Sequence, residues 1–173
     1  QLQSSAASDV YKRQIRDSFL EGSDSPRDYL ERCLECIDSR EPQVKAWVVF
    51  NLEKARQAAD ESGKRYRQGM PLSVIDGMPL GIKDVLQTRD MPTELGSPIF
   101  KGRETNLDTA SVNALRLAGG VILGKTVTTE FALVKPGPTT NPFDPQATPG
   151  GSSSGTSAAV GAGMIPAGLG NQV

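Results

Sequence analysis

The chain has 173 residues, of which 37% are hydrophobic and 23% charged, and its formal net charge at pH 7 is −1. This balance is typical of a soluble globular protein and gives no electrostatic reason to expect nucleic acid or a membrane surface as a partner. No apolar run approaches the roughly 18 residues that a membrane-spanning helix needs, and the polar start lacks a signal peptide, so we expect a cytoplasmic protein.

The predicted elements of the N-terminal half are two helices and a strand. Residues 1–14 show no hydrophobic period and no helix cap, which indicates a disordered or non-native lead-in. A helix is predicted to begin after Ser25, an N-cap followed by proline, and to end at Glu41 because Pro42 follows. Composition and periodicity then predict a strand over 46–50 and a helix over 52–68.

Cys33 and Cys36 form a C-x-x-C pair within the first predicted helix. Such a pair can indicate redox chemistry or zinc, but a zinc site would need two further Cys or His ligands from outside this chain. Cys33 lies on the apolar stripe of the helix, which favours a role in helix packing.

From residue 70 onward, glycine, proline and short apolar runs alternate with helical segments, which indicates α/β organisation. Asp108 is predicted to cap a helix that ends at Ala118. The other predicted elements are, in chain order, a strand over 78–85, a strand over 121–123, a helix over 125–133, a functional loop over 135–149 and an alanine- and glycine-rich helix over 157–164.

Residues 119–126 satisfy the phosphate-loop pattern G-x-x-x-x-G-K-[ST], with Lys125 as the phosphate-binding lysine. A phosphate loop needs a strand before its first glycine and a flexible loop between its glycines. Here the predicted strand itself lies between the glycines and a helix precedes them, which disfavours the interpretation. Nucleotide binding therefore stays as the alternative of a different class.

Residues 151–155 satisfy the G-x-S-x-G pattern of a nucleophile elbow, with Ser153 as the nucleophile. That chemistry needs a histidine base and a strand that runs into the elbow, whereas this segment follows a proline-broken loop. The sequence contains no histidine, so an α/β-hydrolase would need one from outside this chain. A flexible linker is disfavoured because the apolar helix that follows must be buried.

Without histidine, a general base in this chain must be Lys, Asp, Glu or Tyr, and we expect neither a metal nor a cofactor. Lys83 lies in an apolar strand-like segment, where loss of hydration favours the neutral amine, a competent base near neutral pH. The Gly/Ser run over 150–155 can present hydroxyl groups to it. The alternative is that Lys83 forms an ion pair with the adjacent Asp84.

The stretch from about Ser25 to the C-terminus resembles the amidase-signature family. Five segments carry the resemblance: DGMPLGIKD over 76–84, the helix and strand over 108–126, EFA over 130–132, NPF over 141–143 and PGGSSSGTSAAV over 149–160. The resemblance implies an α/β fold with a mixed sheet flanked by helices. Residues 15–173 would form the N-terminal part of a single such domain.

The resemblance also implies a mechanism, the hydrolysis of small-molecule amides through an acyl-enzyme by a Ser–cis-Ser–Lys triad. Lys83 would be the base and Ser152, reached through a cis peptide after Gly151, the bridging serine. The nucleophilic serine would lie roughly three residues beyond Val173, so the chain alone is expected to be inactive. Backbone N–H groups of the glycine-rich segment before the nucleophile would form the oxyanion hole. The full-length protein could form a homodimer.

Two types of amidase-signature protein remain open. The loop between Ala132 and Asn141 is short compared with that of the A subunits of glutamine-dependent aminoacyl-tRNA amidotransferases, which favours a stand-alone amidase. A fragment of such an amidotransferase component is the alternative.

Overall fold

The computed structural model describes residues 14–172. The lead-in predicted over 1–14 lies outside these residues except for residue 14, which belongs to a helix, α1, over 14–21 that the sequence did not predict. The other α-helices are α2 (Pro26–Val44), α3 (Leu52–Arg67), α4 (Ala110–Leu117) and α5 (Ser154–Gly161). The strands are β1 (Trp47–Phe50), β2 (Pro79–Lys83), β3 (Val121–Thr126) and β4 (Ala167–Leu169).

The four strands form one mixed sheet in the order β1-β3-β2-β4. Strand β1 pairs antiparallel with β3, whereas β2 pairs in parallel with both β3 and β4. The two central strands, β2 and β3, are buried along their whole length. The predicted mixed sheet flanked by helices is therefore confirmed. Within the described residues no helix is both long and apolar enough to cross a bilayer.

Helices cover both faces of the sheet, which explains why the central strands are buried throughout. Residues of α2, α3 and α5 pack on one face, which we call the α5 face, with Val121 and Leu123 of β3. On the opposite face, the α4 face, Val112 and Leu115 of α4 pack with Ile82 and Ile122. A smaller apolar cluster joins α1, α2 and α3 around Phe19, Tyr29 and Tyr66.

Helix α2 continues past Pro42 to Val44, so the predicted end at Glu41 is wrong. The Glu41 side chain explains the difference, because it accepts hydrogen bonds from the backbone N–H groups of Ala46 (3.0 Å) and Trp47 (2.9 Å). These bonds tie the turn after the helix to its last turn and offset the N–H that proline lacks. The chain is thereby directed into β1.

The helix predicted over 125–133 is also wrong. Its first two residues complete β3, and only a short 3₁₀ turn follows at Glu130–Ala132. The run Thr126–Thr129 is β-branched throughout, which favours extended backbone over helix. The Val127 N–H donates to the Ala46 carbonyl at 2.8 Å and so continues the extended chain beside β1.

Asp108 does not cap α4 as predicted, because Thr109 occupies the N-cap position. The Asp108 carboxylate instead accepts from the Arg89 N–H at 3.0 Å and pairs with Arg116 of α4 at 3.2 Å. It therefore ties α4 to the loop after β2 rather than starting the helix.

Candidate active site

Lys83 occupies the last position of β2 and is fully buried. Its Nζ donates to the Ser152 hydroxyl at 2.6 Å and to the Asn171 carbonyl at 2.8 Å. Among the described residues no carboxylate pairs with this amine. Burial lowers the pKa of Lys83 from its ordinary value of 10.5, because a desolvated ammonium without a counter-ion is unfavourable. Burial therefore shifts this amine, which is hydrogen-bonded to a serine hydroxyl, towards its neutral form.

Ser152 is held in place through its own backbone. The peptide bond between Gly151 and Ser152 is cis, as the family resemblance implied. The Ser152 carbonyl accepts from the Thr129 N–H at 3.0 Å and from the Thr128 hydroxyl at 3.2 Å. These two bonds fix the carbonyl on the segment that follows β3 and leave the hydroxyl directed at Lys83.

Helix α5 begins at Ser154, three residues earlier than the predicted start at 157. Its first turn lies directly on the end of β3, because the Gly155 N–H donates to the Val127 carbonyl at 2.9 Å. A Cβ at Gly155 would overlap the Ala46 carbonyl and the Val127 nitrogen. Only glycine permits this approach, which sets the position of the residues just before the helix, including Ser152.

Strand β4 brings the glycine-rich C-terminal segment to Lys83. It pairs in parallel with β2, with Leu169 opposite Ile82. The chain then passes Lys83, and the Asn171 carbonyl accepts from both Lys83 and the Ser153 hydroxyl (3.1 Å). The segment over 170–172 therefore lies beside the Lys83–Ser152 pair.

Ser153 does not have the environment of a nucleophile elbow. It occupies the N-cap position of α5, and its hydroxyl donates to a backbone carbonyl rather than to a base. No strand lies between residues 135 and 153, so the strand that should lead into an elbow is absent from this described segment. The loop predicted over 135–149 contains no helix or strand, which confirms that prediction.

An open depression of about 560 Å³ lies beside Ser152. Its wall includes the exposed apolar side chains of Leu133 and Val134. The remaining lining residues are Thr129, Ala132, Pro136, Thr148, Gly150, Gly151 and Gln172. A small substrate in this depression would contact the peptide that carries Ser152.

Lys125, the lysine of the phosphate-loop pattern, is fully buried in β3. Its Nζ lies 2.9 Å from Asp84 and donates to the Thr93 hydroxyl (2.8 Å) and the Pro92 carbonyl (3.0 Å). The phosphate-loop interpretation is wrong because the second glycine, the lysine and the threonine of the pattern belong to a buried strand. The alternative ion pair between Lys83 and Asp84 is not formed either, since Asp84 pairs with Lys125.

Cys33 and Cys36 both lie in α2 as free thiols. Burial raises the pKa of Cys33 to about 12, so its thiolate is strongly disfavoured. Cys33 packs in the apolar cluster of α1, α2 and α3, whereas Cys36 is half-buried. Over residues 14–172 no group of three or more Cys, Asp or Glu side chains is arranged to hold a metal ion.

Comparison with known proteins shows the family. The sequence model of the Amidase family matches residues 28–173. The chain belongs to the amidase family. It is 42% identical over 146 residues to the A subunit of glutamyl-tRNA(Gln) amidotransferase from Chloroflexus aggregans, a match that covers 81% of this chain and 30% of that protein.

Two solved structures share the fold. One comes from a vestigial protein complex that reveals the evolutionary origins of an s-triazine catabolic enzyme (32% identity, TM-score 0.87, covering 92% of this chain and 36% of that one). The other is the native peptide amidase of Stenotrophomonas maltophilia (28% identity, TM-score 0.80, covering 87% of this chain and 34% of that one). The chain thus spans about a third of the length of the relatives that it matches.

Sequence reasoning missed three groups that touch the Lys83–Ser152 pair. They are the carbonyl of Asn171 and the hydroxyl and N–H donors of Thr128 and Thr129. Two of these contacts are made by backbone atoms, which any residue type can supply. The β-branched run at 126–129 was the available signal, because it indicates extended chain beyond β3.

Proposed function

We propose that this chain is the N-terminal part of a longer amidase-signature hydrolase that cleaves the C–N bond of an amide. Lys83 acts as the general base and Ser152 as the proton relay, and the nucleophilic serine is supplied by residues after Val173. The observation that carries the proposal is the 2.6 Å hydrogen bond between a buried lysine without a carboxylate partner and a serine hydroxyl.

The proton path follows from this geometry. As the nucleophilic hydroxyl attacks the amide carbonyl carbon, its proton passes to Ser152 Oγ and the Ser152 proton passes to the neutral Lys83 amine. Lys83 then returns the proton through Ser152 to the leaving nitrogen as the C–N bond breaks. The products are ammonia or an amine and an acyl ester of the nucleophile, which water hydrolyses to the acid by the same relay.

The position of the segment over 170–172 supports an oxyanion site next to Lys83. It runs past Lys83 and leads towards the proposed nucleophile. Backbone N–H groups next to that nucleophile would stabilise the oxyanion, as fixed donors do in a site that excludes water.

The relatives favour one type of substrate over another. The similarity to a glutamyl-tRNA(Gln) amidotransferase component favours the amidotransferase alternative over the stand-alone amidase that the short loop after Ala132 favoured. In the amidotransferase form the substrate would be the side-chain amide of glutamine, and further protein components and tRNA would belong to the assembly. The expectation of no nucleic-acid partner is not supported by that relationship. A cytoplasmic location fits this form.

Similarity to a peptide amidase keeps a second candidate, a stand-alone amidase that acts on small amides. The test is ammonia release by the full-length protein from glutamine and from simple carboxamides, with and without the other components of an amidotransferase co-expressed. Glutamine turnover that requires those components supports the amidotransferase, whereas turnover of simple amides without them supports the stand-alone enzyme. Full activity in Lys83→Ala would overturn both.

A further inference from the structure

Two fully buried lysines lie on neighbouring central strands, and the proposed mechanism uses only one of them. Lys83 ends β2 and contacts Ser152, whereas Lys125 lies in β3 opposite Ile82. The register between β2 and β3 shifts between Leu80 and Gly81, so Lys125 pairs with Ile82 and lies with it on the α4 face. Lys83, the next residue of β2, points to the α5 face because successive residues of a strand point to opposite faces. The contacts agree, because the partner of Lys125 is Asp84, the residue that follows Lys83.

The backbone N–H, the backbone carbonyl and the carboxylate of Asp84 each form a hydrogen bond or an ion pair. Its N–H donates to the Thr126 carbonyl (2.9 Å), and its carbonyl accepts from the Leu95 N–H (3.0 Å). The carboxylate accepts from the Glu94 N–H at 3.1 Å and pairs with Lys125 at 2.9 Å. The end of β2, and with it the Lys83 backbone, is thereby fixed to β3 and to the loop over 92–95.

The same loop reaches the backbone that holds Ser152. The Leu95 carbonyl accepts from the Phe131 N–H at 2.8 Å. Gly96, with φ +66°, packs so closely that an added Cβ would lie 2.8 Å from the Thr128 carbonyl oxygen. Thr128 and Thr129 in turn donate to the Ser152 carbonyl. Hydrogen bonds and tight packing therefore run without a break from the Asp84–Lys125 pair to Ser152.

We propose that Asp84 and Lys125 are positioning residues for the Lys83–Ser152 pair: their ion pair fixes the end of β2 and binds the Asp84 carboxylate on the α4 face, leaving Lys83 without a counter-ion. This inference rests on the proposed function. The Lys83 side chain bonds to neither Asp84 nor Lys125, so these two residues act on it through backbone position and charge.

The charge part of the proposal depends on what else faces Lys83. Helix α5 and the segment over 167–172 carry no charged side chain. The acidic groups near the pair are Glu94 and Asp90, which act on Lys125. Of the carboxylates among the described residues, only that of Asp84 belongs to a residue adjacent to Lys83 in the sequence. Burial raises the pKa of Asp84, and the charge of Lys125 opposes that shift. Without Lys125, the charge of an ionised Asp84 would be unbalanced in a buried site and would favour the protonated form of Lys83.

The test uses the full-length protein and the pH dependence of kcat/KM for amide hydrolysis. In Lys125→Gln the side-chain amide can still donate to Thr93, but the positive charge is removed. We expect the acid limb of this profile, the range in which activity rises with pH, to move up by about one pH unit. Activity near neutral pH should then fall about tenfold. In Lys125→Arg, which keeps the charge, we expect the limb to stay at its original pH.

The matched control is a partly buried ion pair between α3 and the segment that precedes β2. Arg65 and Asp76 lie 2.6 Å apart, away from Lys83. Arg65→Met should lower the melting temperature as Lys125→Gln does, but it should not move the acid limb. A limb that stays in place in Lys125→Gln, or that moves equally in Arg65→Met, overturns the positioning role and leaves only a structural one.

Two further outcomes separate the claims. If Lys125→Gln fails to fold, Asp84→Asn takes its place, and an acid limb that moves upward in that variant contradicts the proposal. If Lys83→Ala retains full activity, the proposed function fails. If the acid limb is lost in Lys83→Ala but keeps its original pH in Lys125→Gln, the positioning role is refuted and the proposed function is not.

Discussion

The two faces of the sheet place the same side chain, a fully buried lysine, in opposite chemical settings. On the α5 face, Lys83 contacts a hydroxyl and a carbonyl. On the α4 face, Lys125 contacts a carboxylate as well as a hydroxyl and a carbonyl. Both lysines are 0% exposed, so burial does not distinguish them. The partner decides which lysine can serve as a base.

Electrostatics explains the difference. A buried ammonium is tolerated when a carboxylate and further hydrogen bonds compensate for lost hydration, as around Lys125. Burial lowers the pKa of both lysines, but the charge of Asp84 opposes this at Lys125. At Lys83 no charge among the described residues opposes the effect of burial, which shifts this amine towards its neutral form. The α4 face is suited to structure and the α5 face to proton transfer.

The largest expected effect is on activity when the lysine of the α5 face is removed. In the full-length protein, Lys83→Ala should lower kcat by about 10³-fold or more, because the base and relay act together in the same transition state. Its melting temperature should fall less than that of Lys125→Ala, since the change breaks two hydrogen bonds but leaves no unpaired charge buried. Ammonia release and calorimetry measure the two effects. A variant that loses stability but keeps its turnover would mean that Lys83, like Lys125, has a structural role.

On the α4 face the larger effect is expected on stability. Lys125→Ala leaves the Asp84 carboxylate buried without its partner, which should lower the free energy of unfolding by about 3–5 kcal/mol. Urea unfolding of the full-length protein measures this loss. The double variant Lys125→Ala with Asp84→Asn should recover part of it, and a double variant that is less stable than the single one would contradict the ion-pair account.

Two glycines of α5 differ in how closely they pack, and only Gly155 lies against the end of β3. Gly155→Ala overlaps the Ala46 carbonyl and the Val127 nitrogen, so we expect a loss of about 1–3 kcal/mol and reduced turnover as Ser152 shifts. Gly161→Ala is the matched control, because its Cβ would meet Pro142 and Phe143 at an ordinary 3.5 Å. Urea unfolding and ammonia release should separate the two variants; equal effects would argue against close packing at Gly155.

The smallest effect is expected for an exposed ion pair. Glu31 accepts from Arg27 and Arg56 at the surface, and the hydrogen bond from Arg56 is the main cause that lowers the pKa of Glu31 to about 2. Its stabilising effect is present above the ordinary pKa of 4.5 and is lost as the pH falls towards 2. Glu31→Gln should lower the free energy of unfolding by less than about 1 kcal/mol at pH 7. If Glu31→Gln lowered the free energy of unfolding as much as Lys125→Ala, the expected difference in stability between exposed and buried ion pairs would be contradicted.

Much of the fold follows from local sequence. The Ser25 cap, the apolar runs of β2 and β3 and the composition of helix α3 are short-range features, and each predicted an element that the structure contains, although β3 extends to Thr126 instead of ending at 123. The error at the end of α2 arose where a contact with the next segment competes with local preference. Pro42 was expected to end α2, but the Glu41 side chain stabilises the last turn by bonding to residues of the next segment.

The candidate site shows the same limit. The motif around Lys83 and the Gly/Ser run named the two side chains that the structure brings together. The sequence alone could not show that Asp84 turns to Lys125, because the partner depends on which strands are neighbours and on which face each residue lies. The phosphate-loop pattern gave a wrong interpretation for the same reason. Its lysine, Lys125, forms a buried ion pair with Asp84, and the spacing of residues in the pattern does not indicate that pair.

The most direct test of the account is the pH dependence of kcat/KM for amide hydrolysis by the full-length protein. Because the pKa of Lys83 is lowered, activity should rise with pH through an apparent pKa below the ordinary lysine value of 10.5 and stay high above it. Lys83→Ala should remove this limb together with most of the activity. A limb that persists in Lys83→Ala, or an activity that falls as the pH rises through that range, would contradict a neutral lysine base on the α5 face.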